Sequence, residues 1–296
     1  MHNEKIAIVT DSTCDACPEW LEKLGVFCVN LEVLKADGTP FPSGNAPENI
    51  ELFYDYLQTC KELPTTSMPS PIVFGELYSK LAREGYTHVL SLHITQAMSG
   101  VHTSAILGAE TVGITVSIPE TARNTWALEL LVERACRLRD AGVPFERLVK
   151  TIESLIEKTN VIFTLDTLDN LVKGGRAGHA LGLAASLLDI KPVLTVGDDG
   201  QVVTIAKAKS MKRALSKIAD LAEKAVANFG ALDGYFINVR NHADVERLRA
   251  LFEKRGIDFT ELGVRQVGPV IATHVGLGCV GFAYIPKMGV GNAEPL

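Results

Sequence analysis

Two short segments far apart in the chain carry the side chains best suited to chemistry. Ser99 and Gly100 lie where a predicted strand passes into a predicted helix, and the free N–H groups and dipole of a helix start favour an anion. An ordinary helix cap is the commoner role for a single serine there. His274 lies between apolar segments, where a lone histidine is usually structural, but beside a serine it can act as a general base.

Hydroxyl side chains are also concentrated in the predicted loops. Residues 11–13, 65–70 and 99–100 all follow a strand or precede a helix, and Thr66 and Ser67 have the same two interpretations as Ser99. Ligands of open parallel sheets bind beyond the carboxyl ends of the strands. We therefore expect these three loops to meet at one crevice.

An enzymatic alternative is a serine-dependent esterase or acyl transferase that uses Ser99 and His274. The sequence lacks the G-x-S-x-G segment that exposes the nucleophile of α/β hydrolases. Asp166, Asp169 and Asp189 are candidates for the third member of a triad, and their spacing selects none of them. Such an enzyme would hydrolyse short acyl esters, and a serine-reactive phosphonate would label Ser99.

Six scattered cysteines argue against a disulfide framework and agree with a reducing compartment. Cys14 and Cys17 form a C-x-x-C pair at a predicted helix start, so a thiol redox protein is a third functional alternative. The structural interpretation of the pair is two small residues packed in the first turn of a helix. No second C-x-x-C or H-x-x-x-H segment completes a zinc site, and we expect no metal.

Basic side chains occur in two further places. Arg176 follows Gly174 and Gly175 in a flexible loop that is neither a Walker A nor a G-x-G-x-x-G segment, so it suggests an anion or partner contact rather than nucleotide binding. The second group lies near a predicted helix start, where a solvated surface is the simpler interpretation; its members are Lys207, Lys209, Lys212 and Arg213.

The whole-chain composition narrows the class of protein. Hydrophobic residues make up 47% and charged residues 22% of the 296 residues, which excludes a disordered chain, a coiled coil or a collagen-like fibre. The net charge of −6 disfavours a nucleic-acid binder. No apolar run approaches the roughly 18 residues of a membrane span, and the N-terminus lacks a secretory apolar region. We expect a cytoplasmic protein with no stable membrane insertion.

The elements that position these residues predict two α/β domains. In residues 1–159, strands alternate with helices, which predicts a parallel sheet covered on both faces, a three-layer domain. In residues 160–296, a hairpin at 193–207, helices at 211–227 and 243–254, and short strands at 259–285 predict an α+β domain with a mixed or antiparallel sheet. A small-residue helix is predicted at 180–188.

Several motifs in this order resemble the DegV family, bacterial fatty-acid-binding proteins that serve a fatty acid kinase, and the resemblance spans residues 5–286. The segments are similar to the family's first strand and loop and to its T-S-Q-P-S, L-S-G-T, L-x-x-L-x-K-G-G-R, L-N-I-K-P-I-L and G-T-H-x-G motifs. They are IAIVTDST at 6–13, TSMPS at 66–70, Ser99-Gly100, LDNLVKGGRAG at 168–178, LDIKPVL at 188–194 and ATHVG at 272–276. Met68, Met98 and Val101 depart from the family pattern.

The resemblance implies a non-catalytic carrier with one long-chain fatty acid in an apolar tunnel between two domains. It implies that Thr66 and Ser99 hold the carboxylate, with His274 nearby. The acyl chain would supply most of the affinity, at roughly 0.8 kcal/mol per buried CH₂. Apart from the fatty acid, no cofactor is implied.

The resemblance also implies a partner, an ATP-dependent fatty acid kinase that makes an acyl phosphate for phospholipid synthesis. Family members contact this partner through an arginine in a K-V-R-T pattern, where this chain has Lys209. Lysine lacks the planar fork of arginine, so either the partner tolerates it or Arg176 and Arg213 make more of the contact. Ser67 and Gly100 complete the set of site residues that the motifs suggest.

Overall fold

The computed structural model describes residues 4–186 and 190–288, with side chains described outside residues 183–186. In chain order the elements are β1 (Ile6–Asp11), a 3₁₀ helix (Ser12–Cys14), α1 (Pro18–Leu24), β2 (Val26–Val29), β3 (Glu32–Leu34), α2 (Pro47–Thr59), β4 (Thr65–Ser67), α3 (Pro71–Arg83), β5 (His88–Leu92), α4 (Val101–Ala109), β6 (Thr115–Ser117), α5 (Thr125–Asp140), α6 (Phe145–Ile156), β7 (Asn160–Thr164), α7 (Asp169–Lys173), a second 3₁₀ helix (Gly178–Ser186), β8 (Lys191–Val196), β9 (Val202–Ala208), α8 (Met211–Phe229), β10 (Leu232–Asn238), α9 (His242–Arg255), β11 (Phe259–Gln266), α10 (Pro269–Val275) and β12 (Val280–Pro286).

The first sheet is parallel, as the alternating pattern predicts. Its strand order is β2-β1-β5-β6, and every pairing in it is parallel. All six residues of β1 are buried, which agrees with the continuous apolar run of a central parallel strand. The helix α3 begins at Pro71, directly after the segment 65–70, and the Ser70 side chain at its N-cap position makes no capping hydrogen bond.

The second sheet is mixed, and together the two sheets confirm the predicted α/β fold class. Its order is β11-β10-β12-β7-β8-β9, with β10 and β11 parallel and the other pairs antiparallel. The predicted hairpin is formed by β8 and β9. At its turn Gly200 has φ of +76°, and a methyl group there would overlap the Thr95 hydroxyl, so the hairpin turn lies against the loop after β5.

A third, two-stranded ladder corrects the predicted loop at residues 65–70, because residues 65–67 form a strand. The chain leaves the first sheet after Val29 and returns as β3, which pairs antiparallel with β4. In this ladder Val33 lies opposite Thr66. Thr66 is therefore fixed by strand pairing and not by a loop.

Two further predictions in the second half need correction. The region 259–285 was expected to hold only strands, but residues Pro269–Val275 form the helix α10, which begins with Pro269 and carries His274 in its last turn. The predicted small-residue helix at 180–188 is a 3₁₀ helix over Gly178–Ser186. The end of that predicted helix and Asp189 lie outside the described residues.

One hydrophobic core connects the two sheets. It contains Ile8 and Leu90 of the first sheet together with Phe163 and Tyr235 of the second. The strands of the two sheets separate in the chain near the predicted boundary at 159/160, and the division into two domains there is our proposal. No helix in the described part of the chain has both the length and the apolar character needed to cross a bilayer.

Candidate functional site

A narrow apolar cavity is lined by strands of the second sheet, by loops that follow strands of the first sheet, and by neighbouring helices. Its volume is about 60 Å³. Such a space suits an unbranched chain better than a bulky ring. The apolar walls are formed by Leu31, Ile94, Met98, Val161, Phe163, Leu171, Val202, Ile237, Val267, Val270, Ile271, Val275 and Cys279.

The structure brings together four residues that the sequence singled out. Thr66, Ser99, Arg176 and His274 all line this cavity. They reach it from β4, from the loop before α4, from the loop after α7 and from α10. Residues up to 208 positions apart in the chain therefore converge, with Thr66 Oγ1 3.2 Å from His274 Nε2.

His274 is held in its neutral form. Burial, with a smaller contribution from the positive charge of Arg176, lowers its pKa to about 4. In the tautomer with a proton on Nε2, the ring donates to Thr66 Oγ1. The Thr66 hydroxyl is then free to donate its own proton to an anion in the cavity.

A glycine leaves room for the opposite edge of the imidazole, which carries Nδ1. Nδ1 of His274 is buried and has no hydrogen-bond partner in the described structure. A methyl group built on Gly174 would overlap this nitrogen, and Gly174 has a negative φ that other residues could adopt. Gly174 is therefore needed for its small size, which leaves the space that the ring occupies.

Arg176 adds positive charge at the same end of the cavity. Its Nε donates to the Met98 carbonyl at 3.2 Å, and its Nη1 donates to the Gly174 carbonyl at 2.7 Å. Both of these acceptors are neutral carbonyl oxygens, so they do not cancel the positive charge of Arg176. Arg176, Thr66 and His274 also line a neighbouring surface hollow of about 260 Å³, to which Lys173 contributes a second cation.

Four of the suggested site residues do not line the cavity. Ser67 and Gly100 are neighbours of lining residues, and Gly100 is closely covered by the Met68 side chain. Lys209 and Arg213 are exposed at the start of α8. Partner contact by Lys209, Arg213 or Arg176 stays a prediction.

The expectation that residues 11–13 join the same crevice is wrong, because they are buried in a different hydrogen-bond network. His93 connects Ser91 Oγ at 2.8 Å with Asp11 Oδ2 at 3.0 Å, and Tyr78 OH lies 2.8 Å from the same serine. The geometry resembles a catalytic relay, but all four side chains are fully buried and none lines the cavity. Asp11 also accepts from the Ile94 N–H at 3.0 Å, which anchors the loop leading to Ser99.

The enzymatic and redox alternatives find less support. The recorded partner of His274 is Thr66 and not Ser99. Cys14 and Cys17 are free thiols, and burial is the main factor that raises the pKa of Cys14, which opposes thiolate formation. Among the described residues, no group of three or more histidine, cysteine, aspartate or glutamate side chains is placed to hold a metal ion.

Two cavity residues were missed by the sequence analysis. Asn124 and Thr125 lie at the start of α5 and line the cavity near Met98. Asparagine before a helix is an ordinary capping signal, so nothing in the sequence distinguishes Asn124 from the residues at other helix starts. Only the packing of α5 against the cavity distinguishes it.

Comparison with known proteins gives a consistent family assignment. The model of the DegV family, described as uncharacterised proteins, matches residues 5–287. A DegV domain-containing protein of Deinococcus radiodurans is 36% identical over 282 residues, which cover 95% of this chain and 98% of the relative. A DegV domain-containing protein of Listeria innocua is 32% identical and covers 96% of this chain and 100% of its own.

Solved structures agree. The fatty acid binding DegV family protein of Streptococcus agalactiae has a TM-score of 0.87 at 32% identity, covering 96% of this chain and 100% of its own. A DegV family protein of Thermus thermophilus, also described as binding fatty acid, has a TM-score of 0.86 at 30% identity with the same coverage. The family model and the relatives span nearly the whole sequence and confirm the resemblance that its motifs indicate: the chain belongs to the DegV family.

Proposed function

We propose that this protein binds one long-chain fatty acid in the cavity, with Thr66, Ser99 and His274 around the carboxylate. The observation that carries the proposal is the shape and chemistry of the cavity, an apolar space with hydroxyls, a neutral imidazole and a guanidinium gathered among its lining residues. Solved relatives described as fatty acid binding support the same ligand class.

The energetics favour a carboxylate over a neutral head group at the polar end. An ionised carboxylate in an apolar site is very unfavourable unless hydrogen bonds and charge compensate for lost water. Thr66 and Ser99 can each donate one hydrogen bond, and Arg176 adds positive charge without a metal. Along the rest of the cavity, each buried CH₂ contributes about 0.8 kcal/mol.

In our proposal the protein is a carrier and not the catalyst. It holds the acyl chain in a tunnel and presents the carboxylate to an ATP-dependent fatty acid kinase in the cytoplasm, which forms an acyl phosphate for phospholipid synthesis. The cations at the polar end, Arg176 and Lys173, would face the partner there, and Lys209 and Arg213 would extend its contact. This division of roles follows the resemblance to the family and the pairing of His274 with Thr66.

The direct test is mass spectrometry of denatured protein purified from cells, with one fatty acid per chain expected. For delipidated protein, Thr66→Val and Ser99→Ala should each weaken fatty acid binding about 10-fold or more, because a hydrogen bond to a charged group is lost. The matched control is Thr103→Val, since this threonine is exposed on α4.

Absence of bound lipid together with no uptake of added fatty acid would refute the carrier. Covalent labelling of Ser99 by a serine-reactive phosphonate, with turnover of short acyl esters, would support the esterase instead.

A further inference from the structure

The start of α5 has a strained backbone beside the cavity. Thr125 has φ of +48° and Ala122 has φ of +47°, a region that β-branched residues in particular avoid. The Thr125 hydroxyl donates to Asp15 Oδ2 at 2.5 Å, and both side chains are buried. Strain held in place by such contacts is typical of functional sites, where it fixes a neighbouring group. The neighbouring group here is Asn124.

Asn124 has the features of a ligand-binding amide. It occupies the N-cap position of α5, yet its side chain makes no capping hydrogen bond. Its exposed fraction is 8%, and it lines the cavity. Within the described structure, its recorded hydrogen-bond partner is the Met98 thioether, 3.3 Å from Nδ2, and sulfur is a weak acceptor. A buried amide normally has better partners.

The position of Asn124 relates it to the polar end of the cavity. Met98, which its amide touches, directly precedes Ser99 and accepts through its carbonyl from Arg176. The Asn124 amide, the Ser99 hydroxyl and the Arg176 guanidinium therefore all lie close to Met98. Asn124 also begins a 16-residue helix whose first N–H groups have no partners within the helix, which favours negative charge at this end.

We propose that the Asn124 amide donates a further hydrogen bond to the carboxylate of the bound fatty acid. This inference rests on the proposed function and deepens it. Thr66 and Ser99 supply hydroxyl donors, and Asn124 supplies an N–H donor that stays neutral at every physiological pH. A carboxylate has about four acceptor positions, so a third donor is accommodated.

The experiment compares two ligands and two variants of the full chain. Dissociation constants are measured for hexadecanoic acid and its methyl ester on delipidated wild type, Asn124→Leu and Asn124→Asp, with thermal unfolding as a folding check. Asn124→Leu should weaken acid binding about 10-fold or more and ester binding no more than about threefold, because bonds to charged groups are the stronger ones. Asn124→Asp keeps the shape of the side chain and should weaken acid binding further by charge repulsion.

Asn228→Leu, on the exposed surface of α8, is the matched control and should leave both affinities unchanged. Equal losses for acid and ester would overturn the inference in favour of a packing role. Wild-type acid affinity in Asn124→Asp would overturn it as well, whether or not Asn124→Leu folds. If the wild type binds no fatty acid, the proposed function itself is refuted and the inference with it.

Discussion

At the scale of single residues, the neutrality of His274 matters more than its ability to carry charge. Burial lowers the pKa of His274 to about 4, so the ring is uncharged at physiological pH. It therefore serves as a neutral hydrogen-bonding neighbour of Thr66. Its position depends on Gly174, which leaves room for Nδ1. The first glycine of the K-G-G-R motif is therefore explained by the space that the imidazole needs.

Gly174→Ala should weaken fatty acid binding about tenfold or more, because the new methyl group displaces the imidazole and its bond to Thr66. In a His274→Ala background, which empties the space beside Gly174, the same change should have little further effect. Dissociation constants for the four proteins of this cycle provide the measurement. Gly113→Ala is the control, since a methyl group there meets no atom within 4 Å. Equal losses in both backgrounds would contradict the assigned role.

At the scale of elements, α5 contacts the second sheet and α1 through buried polar side chains. Arg134 forms a buried ion pair with Asp233 of β10 at 3.1 Å, and the Trp126 indole donates to the Gln266 carbonyl at 2.8 Å. Glu129 is fully buried and accepts from the Trp20 indole at 2.7 Å.

Glu129→Gln should stabilise the protein at alkaline pH. Burial is the main factor that raises the Glu129 pKa to about 7, above its value near 4.3 in the unfolded chain. Between about pH 4.3 and pH 7 the unfolded chain releases the Glu129 proton while the folded state keeps it, so stability falls over this range and levels off above it. Glutamine keeps an acceptor for Trp20 and cannot ionise. Urea unfolding at pH 5 and 8.5 should show a gain for Glu129→Gln that is larger at the higher pH by on the order of 1–3 kcal/mol.

The exposed Glu153 of α6 supplies the control variant Glu153→Gln, which should leave the difference between the two pH values unchanged. A stability gain of Glu129→Gln that is the same at both pH values would show that Glu129 does not titrate in this range.

The sequence predicts helices and strands best where a hydrophobic periodicity extends over many residues or where capping and turn residues mark the ends of an element. The helices α8 and α9 and the β8–β9 hairpin fall within a few residues of their expected positions. The helix α10 was missed because seven residues containing Val270, Ile271 and Val275 are too short to show a period and are rich in strand formers. Pro269 at its start was the available signal.

The site follows the same rule. Motif similarity selects Thr66, Ser99, Arg176 and His274, and the fold brings them to one cavity. Asn124 depends on how α5 packs and on an amide that lacks a strong partner, neither of which a one-dimensional pattern contains. The buried Ser91–His93–Asp11 network was missed for a similar reason, because its members become neighbours only when β1 and β5 pair.

At the scale of the whole molecule, the cavity is part of the core that joins the two sheets. Ile94 follows β5 of the first sheet, while Phe163 and Ile237 lie on β7 and β10 of the second, and all three line the cavity. A ligand that fills this space would contact the loop that follows the first sheet together with two strands of the second sheet. Binding should therefore stabilise the fold as one unit.

Adding hexadecanoic acid to delipidated protein should raise the unfolding temperature by several degrees. A ligand at 100 times its dissociation constant stabilises the folded state by about 2.7 kcal/mol. Acids of increasing length should give increasing shifts, because each buried CH₂ adds about 0.8 kcal/mol until the cavity is full. Scanning fluorimetry with acids of four to eighteen carbons, and butanoic acid as the control, provides the measurement. Equal shifts for all lengths would exclude the apolar walls as the source of affinity.

The hydrogen bonds of Arg176 have a consequence for how ligands arrive. Because the Met98 and Gly174 carbonyls fix the guanidinium in place without cancelling its charge, a positive potential extends outward from this end of the cavity. Under the proposed function, a fatty acid anion in solution would meet that attraction before it touches any donor. Such electrostatic steering reaches only about 8 Å at physiological ionic strength, so the surrounding salt concentration sets how strongly the ligand is guided in.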